Sequence, residues 1–232
     1  MRLEKRQVPV GNGLQVPAVV AWPTSPAAPE HPVIVLAHGA GNDMHAPFLS
    51  AVHVGLAGHG YPAVKFNFPY TAQGRRAPDR GPVLEACYRH VLDAVRADPD
   101  LSARRIVIGG KSLGGRIASH VAAGGAPVAG VLLLGYPLHP AGKPDQLRTA
   151  HLGAIRVPML FVAGTRDALC TLPLLQQTLA GLPAATTLHV VAGGDHSFDL
   201  PKRMGRTARS VWEEIVTVTV KWIAAGPGAA IA

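Results

Sequence analysis

Arg105-Ile106-Val107-Ile108-Gly109-Gly110-Lys111-Ser112-Leu113-Gly114-Gly115-Arg116 is the stretch on which the fold turns. A β-branched run enters it and a helical pattern leaves it. Gly110-Lys111-Ser112-Leu113-Gly114 therefore reads as Gly-x-Ser-x-Gly in a strand–turn–helix. A serine on so sharp a turn holds its hydroxyl clear of the sheet. Glycines two positions to either side remove the side chains that such a turn would crowd. The helix that starts there also offers N–H groups with no helical partner, and these face an anion readily.

Working outward, apolar runs alternate with helical patterns on both sides of this turn. Residues 3–10 and 14–22 read as two strands joined at Gly11-Asn12-Gly13. The proline-rich segment 23–32 is a loop, and Val33-Ile34-Val35-Leu36-Ala37 is a strand buried on both faces. A helix over 47–58, a strand over 61–68 and an exposed polar loop over 69–81 follow. Next come an amphipathic helix over 82–97, the strand 105–109 and the helix 112–123. Strands are expected over 128–135, 157–164 and 186–191, and helices over 173–181 and 207–224. The pattern predicts an α/β fold: a mainly parallel sheet, an N-terminal antiparallel hairpin and helices on both faces. It is read as a single domain over 1–225 with a frayed tail, 226–232. The interval 136–156 is too short for a large insertion, so little or no cap domain and an open, shallow site are expected.

Hydrophobic residues make up 48% of the 232 and charged residues 16%, a balance that fits a chain with a substantial buried core. The formal net charge of +8 comes from scattered arginines and lysines. With no basic block or aromatic-interleaved stripe, no specific nucleic-acid partner is expected. Cys87 and Cys170 read as free thiols in the core. The charged start Met1-Arg2-Leu3-Glu4-Lys5-Arg6 has no apolar signal-peptide core, and no run is long and apolar enough to span a membrane. A cytoplasmic protein is the expectation.

In parallel α/β sheets, functional groups gather at the C-terminal ends of strands. Four polar clusters stand there: His38-Gly39-Ala40-Gly41, the Ser112 turn, Thr165-Arg166-Asp167 and Gly193-Gly194-Asp195-His196-Ser197-Phe198. Ser112 is the candidate nucleophile, His196 its base and Asp167 the acid that orients the base. A serine hydroxyl needs such help at neutral pH. Asp195 and Asp145 are the rival acids. Backbone N–H groups of Ala40 and Leu113 are the candidate oxyanion donors, with His38 supporting their loop. Lys111, Arg75 and Arg76 are candidate binders of an anionic substrate group. Tyr136, with its neighbours to His139 and the loop 68–81, is expected to form the rim. The histidines and acids show no metal-ligand spacing, so neither metal nor cofactor is expected.

Together the motifs His-Gly-Ala-Gly-Asn-Asp-Met-His-Ala-Pro-Phe, Gly-Lys-Ser-Leu-Gly-Gly-Arg, Gly-Thr-Arg-Asp and Gly-Asp-His-Ser-Phe, spanning 38–198, resemble the small α/β-hydrolases. That family includes dienelactone-hydrolase-like proteins, the testis-expressed hydrolase-like protein and the hydrolase-like subunit of the NSL histone acetyltransferase complex. The resemblance implies Ser112, Asp167 and His196 as a triad. Dienelactone hydrolases are expected to carry cysteine at the nucleophile, where this chain has Ser112. The first expectation is a serine hydrolase acting on small carboxylic esters. A peptidase or other acyl hydrolase with the same triad is the alternative within enzymes. A non-catalytic scaffold on a hydrolase fold is the alternative outside them.

Overall fold

The computed structural model describes residues 1–25, 27–28 and 30–226. Apart from Gly226, the predicted frayed tail lies outside the described residues. Eight strands form one sheet: β1 (Arg2–Pro9), β2 (Gln15–Trp22), β3 (Val33–Ala37), β4 (Ala63–Phe66), β5 (Ile106–Lys111), β6 (Gly130–Leu134), β7 (Met159–Gly164) and β8 (Thr186–Val191). Their order across the sheet is β1-β2-β4-β3-β5-β6-β7-β8. Strands β1 and β2 pair antiparallel, as do β2 and β4, and every pair from β4 to β8 is parallel.

The continuous apolar runs of the central strands are explained by burial on two faces. In β3, Val33, Val35 and Ala37 enter one core cluster while Ile34 and Leu36 enter the other. The same alternation sends Ile106 and Ile108 of β5 to the first cluster and Val107 to the second. The first face is covered by α3 (Gly81–Ala97), α4 (Leu113–Ala123) and α5 (Leu172–Ala180). The second is covered by α1 (Pro47–Gly58) and the last helix, Ala208–Ala224.

One more helix corrects the sequence reading. Pro69–Ala72 is a single helical turn, labelled α2, and the last helix is then α6. The segment 69–81 is exposed only from Gln73 onward, because Phe68, Pro69 and Tyr70 are buried. A four-residue helix has too few positions to show a period, although Pro69 stands at a favoured first-turn site. Between β6 and β7 the chain makes one short 3-10 helix, Leu152–Ala154, and nothing that could cover the site. Cys87 and Cys170 are free and buried, and burial pushes both thiols up to about 12. Among the described residues no helix is long and apolar enough to cross a membrane.

Candidate active site

Ser112 sits between β5 and α4 with φ 50° and ψ −112°, a left-handed conformation that costs a non-glycine residue energy. The flanking glycines hold the turn against the end of β3. A Cβ on Gly110 would lie 2.3 Å from the Ala37 carbonyl oxygen, and one on Gly114 would lie 2.2 Å from it. Both contacts are to backbone, so the Gly-x-Ser-x-Gly spacing records close packing of the elbow on β3 as well as conformational freedom. The Ser112 N–H donates to the Leu134 carbonyl at 3.0 Å, which ties the elbow to β6.

His196, in the turn after β8, has Nε2 2.8 Å from Ser112 Oγ. Its Nδ1 lies 2.8 and 3.0 Å from the two carboxylate oxygens of Asp167, in the turn after β7. The Asp167 side chain is fully buried and also accepts the Leu169 N–H at 2.8 Å. That second bond fixes the carboxylate plane. The rival acids lie elsewhere. Asp195 Oδ1 accepts the N–H groups of Ser197 and Asp199, folding the loop that carries His196, and Asp145 is exposed. Three side chains far apart in sequence thus form one hydrogen-bonded chain. It is the arrangement that lets an imidazole take a serine proton while a carboxylate holds its tautomer.

His38 is fully buried behind the loop that follows β3. The Phe68 N–H donates to its Nε2 at 3.1 Å, so the ring proton is on Nδ1, which donates to the Gly39 carbonyl at 2.9 Å. Burial lowers the ring's affinity for a second proton, and His38 stays a neutral strut. Gly39 is close enough to Ser112 that a Cβ on it would lie 3.6 Å from the serine Cβ. Ala40 is the next residue along this loop and is exposed. Leu113 is the first residue of α4, a position whose N–H has no acceptor within the helix.

Two cavities flank this loop. One, of about 280 Å³, runs from Gly39 and Lys111 past Ser197 to an apolar wall of Phe48, Leu49 and Trp212. The other, of about 300 Å³, is bounded by Asn42, Tyr70, Thr71, Arg75 and Arg76. A further cavity, about 430 Å³, lies between α1 and α6; like the other two it is not lined by Ser112, Asp167 or His196 themselves, but the first of the three borders their neighbours Lys111 and Ser197. Arg75 is exposed and paired with Asp79 at 2.7 Å, and Arg76 is exposed.

Tyr136 is not a rim residue. It is 1% exposed, and its hydroxyl donates to the Arg148 carbonyl at 2.6 Å. Leu138 and His139 are buried with it. The segment turns inward because Tyr136 packs edge-on against Phe161 of β7. Lys111 does face the first cavity, but its ammonium donates to the His196 backbone carbonyl and lies 5.2 Å over the Phe198 ring. Sequence reading missed Phe68 and Thr71 as partners of His38. It also missed Asn67, whose side-chain oxygen accepts the Met44 N–H at 2.7 Å and shapes the same loop. Adjacent polar and apolar residues at the end of β4 were the available signal.

A family model for an alpha/beta hydrolase domain matches residues 30–224. Among solved structures the chain resembles a dienelactone hydrolase from Anabaena variabilis, with a TM-score of 0.76, 18% identity, and 97% of this chain and 98% of the other covered. An α/β serine hydrolase homologue from Coxiella burnetii gives 0.74 at 19% identity, over 94% and 97%. A serine hydrolase without a lid from Xanthomonas campestris gives 0.69 at 19% identity, over 94% of each chain. At these identities the likeness is one of fold. With the profile match over most of the sequence, it is settled that this chain belongs to the α/β-hydrolase family.

Proposed function

We propose that the protein is a serine hydrolase acting on small carboxylic esters through a covalent acyl-enzyme. The observation that carries this reading is the unbroken chain from Asp167 through His196 to Ser112 Oγ. In the proposed cycle Ser112 Oγ attacks the ester carbonyl as its proton passes to His196 Nε2. Asp167 stabilises the imidazolium through Nδ1. The N–H groups of Ala40 and Leu113 receive the oxyanion, the latter aided by the positive end of α4. His196 returns the proton to the leaving alcohol. Water, deprotonated by His196, then releases the acid and frees the serine. The cycle draws on no cofactor.

The apolar wall of Phe48, Leu49 and Trp212 suits a short alkyl or aryl group of the substrate. Arg75 and Arg76 suit a carboxylate on the other portion. The likeness in fold to a serine hydrolase without a lid supports an exposed site. We place the reaction in the cytoplasm, with a small-molecule substrate and no nucleic-acid partner.

A fluorophosphonate probe tests the reading, since it reacts selectively with an activated serine. Wild type should gain the mass of one adduct and Ser112→Ala none. A folded wild type that gains no adduct would overturn the hydrolase reading in favour of a scaffold. Comparison of p-nitrophenyl esters with aminoacyl amides then separates esterase from peptidase.

A further inference from the structure

Lysine is an unusual side chain to find inside the seam between a nucleophile and its base. Lys111 pairs with Leu134 at the end of β5, immediately before Ser112. Its side chain crosses to the loop after β8 and donates to the carbonyl of His196, 85 residues away. Space for the ammonium is left by Gly135, at φ +63°. A Cβ there would lie 2.6 Å from Lys111 Nζ and 3.2 Å from the His196 carbonyl oxygen. Phe198, itself in a left-handed conformation at φ 67°, offers its ring face to the charge.

We propose that Lys111 is the positioning residue for the base: its ammonium clamps the His196 backbone and so keeps the imidazole seated on Ser112. This rests on the hydrolase reading above. The geometry gives the loop two pins of different kinds. Asp195 shapes it from within, through the Ser197 and Asp199 amides, and Asp167 holds the ring. Among the described residues, Lys111 is the side chain that ties the backbone of the base to the strand that carries the nucleophile. A bond of this kind, with one partner ionised, is about twice as strong as a neutral one. It is made to the base residue itself, so a slack of one ångström there is felt directly at the 2.8 Å contact between His196 and Ser112.

The clamp is pH-sensitive in a stated direction. Burial lowers Lys111 to about 8, against the opposing pull of Asp167 and Asp195. Asp199 and His38 border the same cavity as Lys111, and His196 meets the ammonium through its backbone carbonyl. Above that pH the amine still donates a hydrogen bond, but the charge that strengthens it and draws it to Phe198 is gone. The turnover number should therefore fall on an alkaline limb near pH 8.

The test compares wild type with Lys111→Met, which keeps length and apolar bulk without a donor, on p-nitrophenyl acetate from pH 6 to 10. Circular dichroism establishes that each variant is folded. The expected result is a tenfold or greater loss in kcat at pH 7 with KM changed less than twofold. The alkaline limb should vanish, and the fluorophosphonate reaction should slow by the same factor as kcat. If the methionine variant does not fold, Lys111→Leu, also without a donor, takes its place with the same readouts. Unchanged kcat and an unchanged limb in a folded variant would overturn the proposal. So would a wild-type profile flat to pH 10. An effect confined to KM for acidic esters would overturn it too, and would make Lys111 a substrate contact. A wild type that never reacts with the probe would instead overturn the hydrolase reading, so the two failures are distinguishable.

Discussion

Replacing Asp167 by asparagine changes one atom and should reverse the hydrogen-bond sense of the whole site. Asp167 Oδ1 accepts the Leu169 N–H at 2.8 Å, and Oδ2 receives His196 Nδ1 at 2.8 Å. The backbone donor claims the single oxygen of asparagine, which turns the amide NH2 toward Nδ1. Two donors then face each other in a pocket where the original carboxylate was fully buried. Loss of the charge-assisted bond costs about 1.5–3 kcal/mol, and an unsatisfied buried donor about 1–3 kcal/mol more. The imidazole escapes by moving its proton to Nε2, where it donates to Ser112 Oγ and can no longer act as a base. Taken together, about 2.5–6 kcal/mol against the active tautomer lowers kcat by about 10²- to 10⁴-fold at 1.36 kcal/mol per decade. The assay is hydrolysis of p-nitrophenyl acetate at saturating substrate, with the rate of fluorophosphonate adduct formation alongside and a thermal melt to show that the fold survives. A folded Asp167→Asn protein with kcat within threefold of wild type would refute the assignment of Asp167 and the tautomer argument together.

Gly114→Ala should destabilise the protein by about 3 kcal/mol or more, since its Cβ would meet the backbone oxygens of Ala37 at 2.2 Å and His38 at 2.7 Å, neither of which can swing aside. A urea midpoint within error of wild type would show that the elbow has slack. The pair Arg75→Ala and Arg76→Ala should raise KM several-fold for an ester bearing a carboxylate and leave a neutral ester unchanged. Equal effects on both would remove the basic cavity from substrate recognition. Burial lowers His53 and His151 to about 4, below the ordinary histidine value of about 6.5. The unfolded chain then binds more protons between those limits, so stability is full above pH 6.5 and falls as the pH drops toward 4. Melting temperatures across that window should show the decline, and His151→Gln should flatten part of it. An unchanged slope would mean that other groups govern acid unfolding.

How much of this was legible in the sequence depended on how regular the local signal was. The bounds of β3, α1 and β8 match the reading of the residues, because an apolar run ending at His38, a proline at the helix start and a β-branched-rich run that stops at Ala192-Gly193 are unambiguous. The three site side chains were legible because each follows a parallel strand, and strand ends share one edge of the sheet. Tyr136 was misplaced because its segment holds prolines and no period. Only tertiary packing shows that the chain dives toward Phe161 rather than over the site. The sequence reading offers Lys111 as a binder of an anionic substrate group, whereas strand parity points it toward the loop after β8. Val107 and Lys111 stand four apart in β5, so both point to the face covered by α1 and α6, where Val107 and Phe198 are buried.

The distribution of the trio along the chain also bears on how the molecule comes into being. Ser112 stands near the middle of the sequence, whereas its hydrogen-bond partner is 84 residues further on and the acid 29 residues before that partner. Strands β7 and β8, which deliver Asp167 and His196, lie together at one end of the sheet and are made last. Contacts between segments so distant in sequence form late and slowly. Throughout synthesis and early collapse, then, the Ser112 hydroxyl is an ordinary alcohol. On the proposed mechanism, reactivity arrives only when the last strand docks, so recovery of the probe reaction during refolding would time completion of the whole sheet.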